Sequence, residues 1–334
     1  MEESRIQIVS LDSLRIGYLS GKKKNVLLSP LNASAKKGEF IAVIGKNGIG
    51  KSTILRTITG LQPSLGGNVF ISGRDLTEYS RMELAQKVGF ISTEIVKAAN
   101  MKVYELVSLG RFPYTDWLGK IDNRDHEIIM DSIEKTGMID LFDRNISELS
   151  DGERQRAMIA RVLAQDTEIM IMDEPTAFLD VKSKYEIVQL MHELTRKRDK
   201  TIIFSTHDLN IAISQADKIW LILDEKLSEG APEDLIIEGS FNNLFDSSVV
   251  GFNPVDGSFS FIRKDRGRIY IEGNGNIRYW TEKAIIRAGF SISRSPNNIV
   301  VKIPTAEFNK WQFITPEQSK EFQSIYELAE WLNF

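Results

Sequence analysis

Gly45, Gly50, Lys51 and Ser52 stand at the spacing G-x-x-x-x-G-K-S within EFIAVIGKNGIGKSTILRTITGL. Glycines so placed let backbone N–H groups crowd around a triphosphate, with the lysine reaching the β and γ phosphates and the hydroxyl serving Mg²⁺. Asn47, Gly48 and Thr53 belong to the same phosphate cradle. Far downstream, Asp173 and Glu174 follow the apolar run Ile169 to Met172. Asp173 is placed to hold Mg²⁺ through its water shell, and Glu174 to take a proton from an attacking water. His207, in TIIFSTHDLN, can donate to phosphate or hold that water. The other two histidines, His126 and His192, sit in charge-rich helical contexts and are expected to be solvated surface residues.

These groups need elements that bring them together. Phe40 to Ile44 reads as a strand, the glycine loop follows, and a helix runs from Ser52 onward. Ile169 to Met172 and Ile202 to Phe204 read as further strands, apolar throughout, as strands of a parallel sheet buried on both faces must be. Ligands bind such sheets at the carboxyl ends of the strands, where Gly45, Asp173 and His207 all fall. The stretch LSDGERQRA has Ser150 three residues ahead of Glu153, which is the capping-box pattern. Gly152 inside that helix start also leaves bare N–H groups suited to an anion, so cap and phosphate site both stand as readings.

At 334 residues, 42% hydrophobic and 26% charged, the chain is long enough for one large or two ordinary folded domains. No stretch approaches the roughly 18 apolar residues of a membrane span, and the acidic start MEESRIQIV is not expected to be a signal peptide. Zero cysteines exclude disulfides, iron–sulfur clusters and thiolate chemistry and fit a reducing compartment. A net charge of −4 argues against nucleic acid as a principal partner.

Taken together, the P-loop, LSDGE, IMIMDE, AFLD and the histidine, in that order, resemble the nucleotide-binding subunit of ATP-binding cassette (ABC) transporters. The resemblance implies an α/β P-loop NTPase cassette with a RecA-like core, an antiparallel β subdomain and a helical subdomain. It further implies ATP and Mg²⁺, hydrolysis by Glu174, and a head-to-tail pair of copies with two ATP molecules between them. In that pair Ser150 and Gly152 would meet the γ-phosphate held by the other copy, and Asp180 would run along the interface. Tyr18, in LRIGYLSG, matches the aromatic that stacks on adenine. Two residues depart from the family's usual LSGGQ: Asp151 replaces a glycine and Glu153 a glutamine. In KVGFISTEIVKAANM the family glutamine that links the metal site to the membrane partner is replaced by Thr93, with Glu94 beside it, and either is a candidate for the relay.

The stretch around Gly110, Arg111, Phe112, Pro113 and Tyr114 reads as an exposed loop and is similar to that of importers of iron–siderophores, haem and cobalamin. It implies a permease, an extracytoplasmic binding protein upstream of it, and a peripheral position on the cytoplasmic face of the membrane. A soluble ABC ATPase of a cytosolic assembly and an exporter cassette are the rival readings. Residues 1–240 are read as the cassette, with a helical part from about 95 to 158; 241–257 as a linker; and 258–334 as a small α+β appendage. In the appendage Trp280, Trp311 and Trp331 supply core bulk, and Phe322, Ile325, Ala329 and Leu332 share one face of a last helix. Regulation, dimer stabilisation and plain packing are equally open as its role.

Overall fold

The computed structural model describes residues 6–21, 23–93, 100–116, 119–244, 250–254, 257–262, 265–306 and 308–333. They form two compact units, one from the N-terminal part of the chain through Leu244 and one from Phe259 onward. In chain order the first runs β1 (Gln7–Ser20), β2 (Lys23–Lys36), β3 (Phe40–Gly45), α1 (Lys51–Ile58), β4 (Gly66–Ile71), β5 (Arg74–Asp75), α2 (Arg81–Ala85) and β6 (Val88–Ile91). A helical stretch follows, α3 (Val103–Ser108), α4 (Asn123–Lys135) and α5 (Asp151–Ala164). The chain then alternates β7 (Ile169–Met172), α6 (Val181–Arg198), β8 (Thr201–Ser205), α7 (Leu209–Gln215), β9 (Lys218–Leu223), β10 (Lys226–Gly230) and α8 (Pro232–Ile237).

Six strands form one sheet in the order β10-β9-β3-β8-β7-β6, parallel except for β10. Every residue of β3, β7 and β8 is buried, the fate of uniformly apolar strands at the centre of a covered parallel sheet. A second, antiparallel sheet has the order β2-β1-β4-β5. The two share a core: Ile54, Leu55 and Ile58 of α1 lie with Leu14, Ile16 and Leu28 of the antiparallel sheet and Ile171 and Ile203 of the parallel one. Burying each such side chain contributes about 1.5–3 kcal/mol, so the helix after the glycine loop is clamped from both sides.

In the helical stretch the expected exposed loop is only half exposed. Leu109–Tyr114 forms a 3₁₀ turn in which Gly110 and Arg111 are buried while Phe112 and Tyr114 face solvent. A Cβ on Gly110 would lie 2.1 Å from the Arg161 carbonyl oxygen, so the backbones can meet only at glycine. Arg111 Nε donates to Asp125 Oδ1 at 2.8 Å and its Nη1 to the Ala164 carbonyl at 2.9 Å, with the Tyr114 ring 4.0 Å from the guanidinium carbon. Arg111 thus joins the starts of the 3₁₀ turn and α4 to the end of α5.

The strands β11 (Val250–Asn253) and β12 (Ser258–Phe261) pair with each other and are divided between the units. The second unit continues with β13 (Arg268–Glu272), α9 (Gly275–Arg287), β14 (Ser291–Ser293), β15 (Val300–Lys302), β16 (Trp311–Ile314), β17 (Ser319–Phe322) and α10 (Ile325–Asn333). Its sheet has the order β14-β13-β15-β16-β17, parallel around β13 and antiparallel thereafter. Ile269, Ile271, Ile285, Val301, Phe313, Phe322 and Leu328 form a core of its own. Phe322 reaches that core from the last strand and not from the last helix, because α10 starts only at Ile325. Trp311 and Trp331 pack on this core, whereas Trp280 faces solvent.

Removing Arg111 leaves the Asp125 carboxylate buried without its counter-ion. Arg111→Met is expected to cost about 3 kcal/mol or more of stability by urea unfolding, while Phe112→Ala, at the exposed end of the same turn, costs under about 0.5 kcal/mol. Equal losses in the two variants would refute the buried anchor.

Candidate functional site

The glycine loop leaves β3 at its carboxyl end and turns into α1 at Gly50, whose φ of 117° lies where only glycine sits without strain. The helix opens at Lys51, one residue earlier than the sequence predicts. Lys51 is buried, and its Nζ donates to the carbonyls of Gly45 at 2.9 Å and Lys46 at 3.3 Å. Burial holds its pKa below the usual lysine value, with the nearby Glu174 and Asp173 charges pulling the other way.

Asp173 directly follows β7 and is 2% exposed. Its Oδ1 accepts from Ser52 Oγ at 3.0 Å and from Ser205 Oγ at 2.7 Å, while Ser205 Oγ accepts from the Glu174 amide at 2.9 Å. One hydroxyl at the end of β8 therefore orients both carboxylate residues. The sequence offered a signal for Ser205, a hydroxyl closing a buried apolar strand beside β7, but not its two partners. Glu174 has a φ of 49°, a strained turn for a residue with a side chain, and its Oε1 lies 2.6 Å from His207 Nε2. Tyr18, Asn47, Gly48, Gly50, Lys51, Ser52, Thr53, Glu174 and His207 all line one open cleft of about 480 Å³. Tyr18 is half exposed at its mouth, and its hydroxyl is 3.0 Å from Thr53 Oγ1. Of the other histidines, His126 is exposed beside the Tyr104 hydroxyl at 2.9 Å, but His192 is half-buried with its ring edge-on to Phe40.

Ser150 caps α5 as its spacing predicts. Its Oγ accepts from the Glu153 amide at 3.3 Å, and Glu153 Oε2 accepts from the Ser150 amide at 2.8 Å. The Ser150 amide and the Ser150 hydroxyl, each donating to Glu153 Oε2 at 2.8 Å, hold the Glu153 carboxyl below the ordinary glutamate value. The charge of Asp151 is met within the same turn by Arg154 Nη1 at 2.7 Å. Asp180 caps α6, accepting from the Ser183 amide at 2.8 Å. A Cβ on Gly152 would lie 3.0 Å from Ser183 Oγ, so the starts of α5 and α6 abut.

Thr93 follows β6, exposed, and shares with Glu174, Gln155 and Phe178 a separate cavity of about 330 Å³. Glu94 lies outside the described residues. Gln155 Nε2 is buried here with no hydrogen-bond partner among the described residues, a feature with no sequence signal. A third, larger groove of about 720 Å³ has Leu61, Leu84, Phe90, Leu109, Met158 and Arg161 among its walls. Leu61 and Leu109 stand exposed on it.

A glycine loop, buried lysine, serine–aspartate pair and following glutamate at the carboxyl edge of a parallel sheet define a P-loop nucleotide-binding ATPase. Residues 28–177 match the family described as ABC transporter, and residues 266–333 match the iron ABC transporter C-terminal domain. The chain is 32% identical over 261 residues to the petrobactin import ATP-binding protein FpuD of Bacillus anthracis, covering 78% of this chain and 95% of that protein. It is 34% identical over 226 residues to the ferric enterobactin transport ATP-binding protein FepC of Escherichia coli, covering 67% and 82% respectively. Among solved structures, the dimeric bacterial ABC transporter cassette MJ0796 aligns with a TM-score of 0.59 at 27% identity, over 67% of this chain and 99% of that one. The ADP conformation of the cassette MJ1267 aligns with a TM-score of 0.63 at 22% identity, over 71% and 98%, which speaks for the fold alone. The chain belongs to the ATP-binding cassette family of ABC transporters, and its enzymatic class is ATPase.

The cap of α5 makes two expectations. Ser150→Ala loses about 1 kcal/mol of stability. Because the Glu153 pKa is held down in the folded state, its contribution is complete above the ordinary glutamate value of about 4.3 and is lost as pH falls through the lower folded value. The Tm difference between wild type and Glu153→Gln should therefore be present at neutral pH and close on acidification; a difference that widened in acid would contradict the cap.

Proposed function

We propose that this chain is the ATP-hydrolysing motor of a binding-protein-dependent importer of metal chelates of the siderophore, haem or cobalamin kind. The observation that carries the enzymatic part is the convergence of Lys51, Ser52, Glu174 and His207 on one cleft, with Asp173 bonded to Ser52 behind it. Backbone N–H groups of the loop from Gly45 through Thr53, those of Asn47, Gly48 and Gly50 among them, hold the phosphates together with Lys51, and Tyr18 stacks on the adenine.

The serine hydroxyl and aspartate carboxylate, 3.0 Å apart, are hard oxygens that fit Mg²⁺, and Ser52 and Asp173 would hold it. When bound, that ion would supply charge neutralisation for the phosphates. Glu174 takes a proton from water as the water oxygen bonds to the γ-phosphorus, the bond to the bridging oxygen breaks, and ADP leaves. His207, which meets Glu174 at 2.6 Å, donates toward the γ-phosphate. Ser150 and Gly152 of a second copy complete the phosphate shell, with Asp180 beside them, so two copies enclose two ATP molecules.

The importer part is supported by the names of the relatives, which transport or import petrobactin and ferric enterobactin, and by the match of residues 266–333 to an iron ABC transporter domain. No helix among the described residues is long and apolar enough to cross a membrane, so the membrane-spanning work falls to a separate permease. The chain sits against it on the cytoplasmic face, and the groove carrying the exposed Leu61 and Leu109 receives a permease loop. Thr93 or Glu94 relays between that groove and the metal site. The extracytoplasmic binding protein acts through the permease and never touches this chain. Residues 1–240 act as the motor, 241–257 as linker and 258–334 as an accessory domain.

Tagged protein extracted with its native membranes in mild detergent is expected to bring a polytopic permease with it. Leu61→Glu combined with Leu109→Glu should reduce that recovery at least about tenfold while ATP binding is retained. Recovery of only soluble partners would overturn the importer reading.

A further inference from the structure

The two helices of the second unit, α9 and α10, touch each other and pack on one core, α9 through Ile285 and Ala288 and α10 through Leu328 and Leu332. The faces they turn away from that core are not those of a plain solvated surface. On α9, Tyr279, Trp280, Lys283, Ile286 and Arg287 share one face at spacings of three and four, with Trp280 62% and Tyr279 51% exposed. On α10, Tyr326, 73% exposed, stands with Glu327 and Glu330. Arg278 and Glu282 pair with each other along α9 at 2.8 Å, so the charged residues of its outer face are the cations Lys283 and Arg287, while those of α10 are anions. Tryptophan, tyrosine and arginine gathered on one exposed face are the composition of the centre of a protein–protein interface.

The charges say what covers it. Arg266 Nη1 donates to the Ala288 carbonyl at 3.3 Å and to the Leu332 carbonyl at 2.7 Å, which sets the carboxyl ends of the two helices level. The strands that lead into them, β13 and β17, point the same way, so the helices return side by side in one direction. A two-fold axis along the seam between them would lay α9 of one copy on α10 of the other with the ends still level. Arg287 then meets Glu330 of the second copy, and Trp280 and Tyr279 meet Tyr326; α9 laid on α9 would set cation against cation. We infer that this helical face pairs with the same face of a second copy, making the accessory unit a homodimerisation element that works without nucleotide. The aromatic residues supply the affinity, and the rim charges, worth little in water, fix which helix lies on which. A face of two short helices is a modest interface, so association in the micromolar range is expected.

The test is sedimentation velocity on nucleotide-free, full-length protein over a concentration series through the micromolar range. Wild type is expected to self-associate, and Trp280→Ala to raise the dissociation constant about tenfold or more. Arg287→Glu and Glu330→Arg should each weaken association alone, and an equimolar mixture of the two variants should recover it, because every contact in the mixed pair is again between opposite charges. Trp280, Arg287 and Glu330 are exposed, so none of these changes should lower the Tm appreciably. Wild type that stays monomeric across the series, variants that associate as strongly as wild type, or a mixture that associates no better than its parts would each overturn the pairing. Monomer throughout, together with loss of permease recovery from membranes in Trp280→Ala, would assign the face to the permease and overturn it as well. With no nucleotide present the ATP sandwich does not form, so failure here leaves that reading standing.

Discussion

One carboxylate oxygen holds the site together. Asp173 Oδ1 accepts from Ser52 at the start of α1 and from Ser205 at the end of β8, and so ties the glycine loop to two adjacent strands. Ser205 in turn accepts from the Glu174 amide, which fixes the next carboxylate in its strained turn and brings it to His207. A buried carboxylate is costly unless its lone pairs are met, and these bonds meet those of Asp173. The uniformly apolar strands on either side supply the rigid frame that keeps the donors within reach.

The same economy governs the parts around that centre. Ser150 is satisfied by its own helix through Glu153, yet the cap lies on the surface and leaves the helix start accessible to an anion. Cap and phosphate site are thus compatible readings of one stretch, since a capping hydroxyl can turn to a stronger acceptor. Asp151, out of place by charge beside a phosphate, is neutralised by Arg154 one turn along. The helical part is locked by Arg111, buried against Asp125 and the end of α5, while the starts of α5 and α6 meet separately at Gly152 and Ser183.

Much of this was legible in the sequence because local rules and the tertiary outcome agree. FIAVIG, IMIM and TIIFS are too uniformly apolar for anything but buried strands, and the fixed glycine spacing admits few alternatives; both became the central strands and the loop. The Ser150 cap was legible for the same reason. Burial decided by distant partners was not. Arg111 looked exposed beside a proline because the carboxylate and carbonyl that bury it come from positions 125 and 164. His192 looked solvated because its cover, Phe40, lies on a strand far away in sequence. Phe322 fitted a helical stripe on paper, since a single residue at a strand end can mimic the spacing of the helix that follows. Backbone strain at Glu174 and Phe178 leaves no trace in residue type at all.

The central claim is that Glu174 performs the proton transfer within a cleft whose other residues bind and orient ATP. It is tested most directly by measuring ATP affinity and single-turnover hydrolysis in wild type and Glu174→Gln side by side. The account predicts affinity unchanged within about threefold and hydrolysis slowed by about 100-fold or more, the usual range for loss of a general base. Hydrolysis at the wild-type rate in Glu174→Gln would contradict it and send the search for the base elsewhere in the cleft.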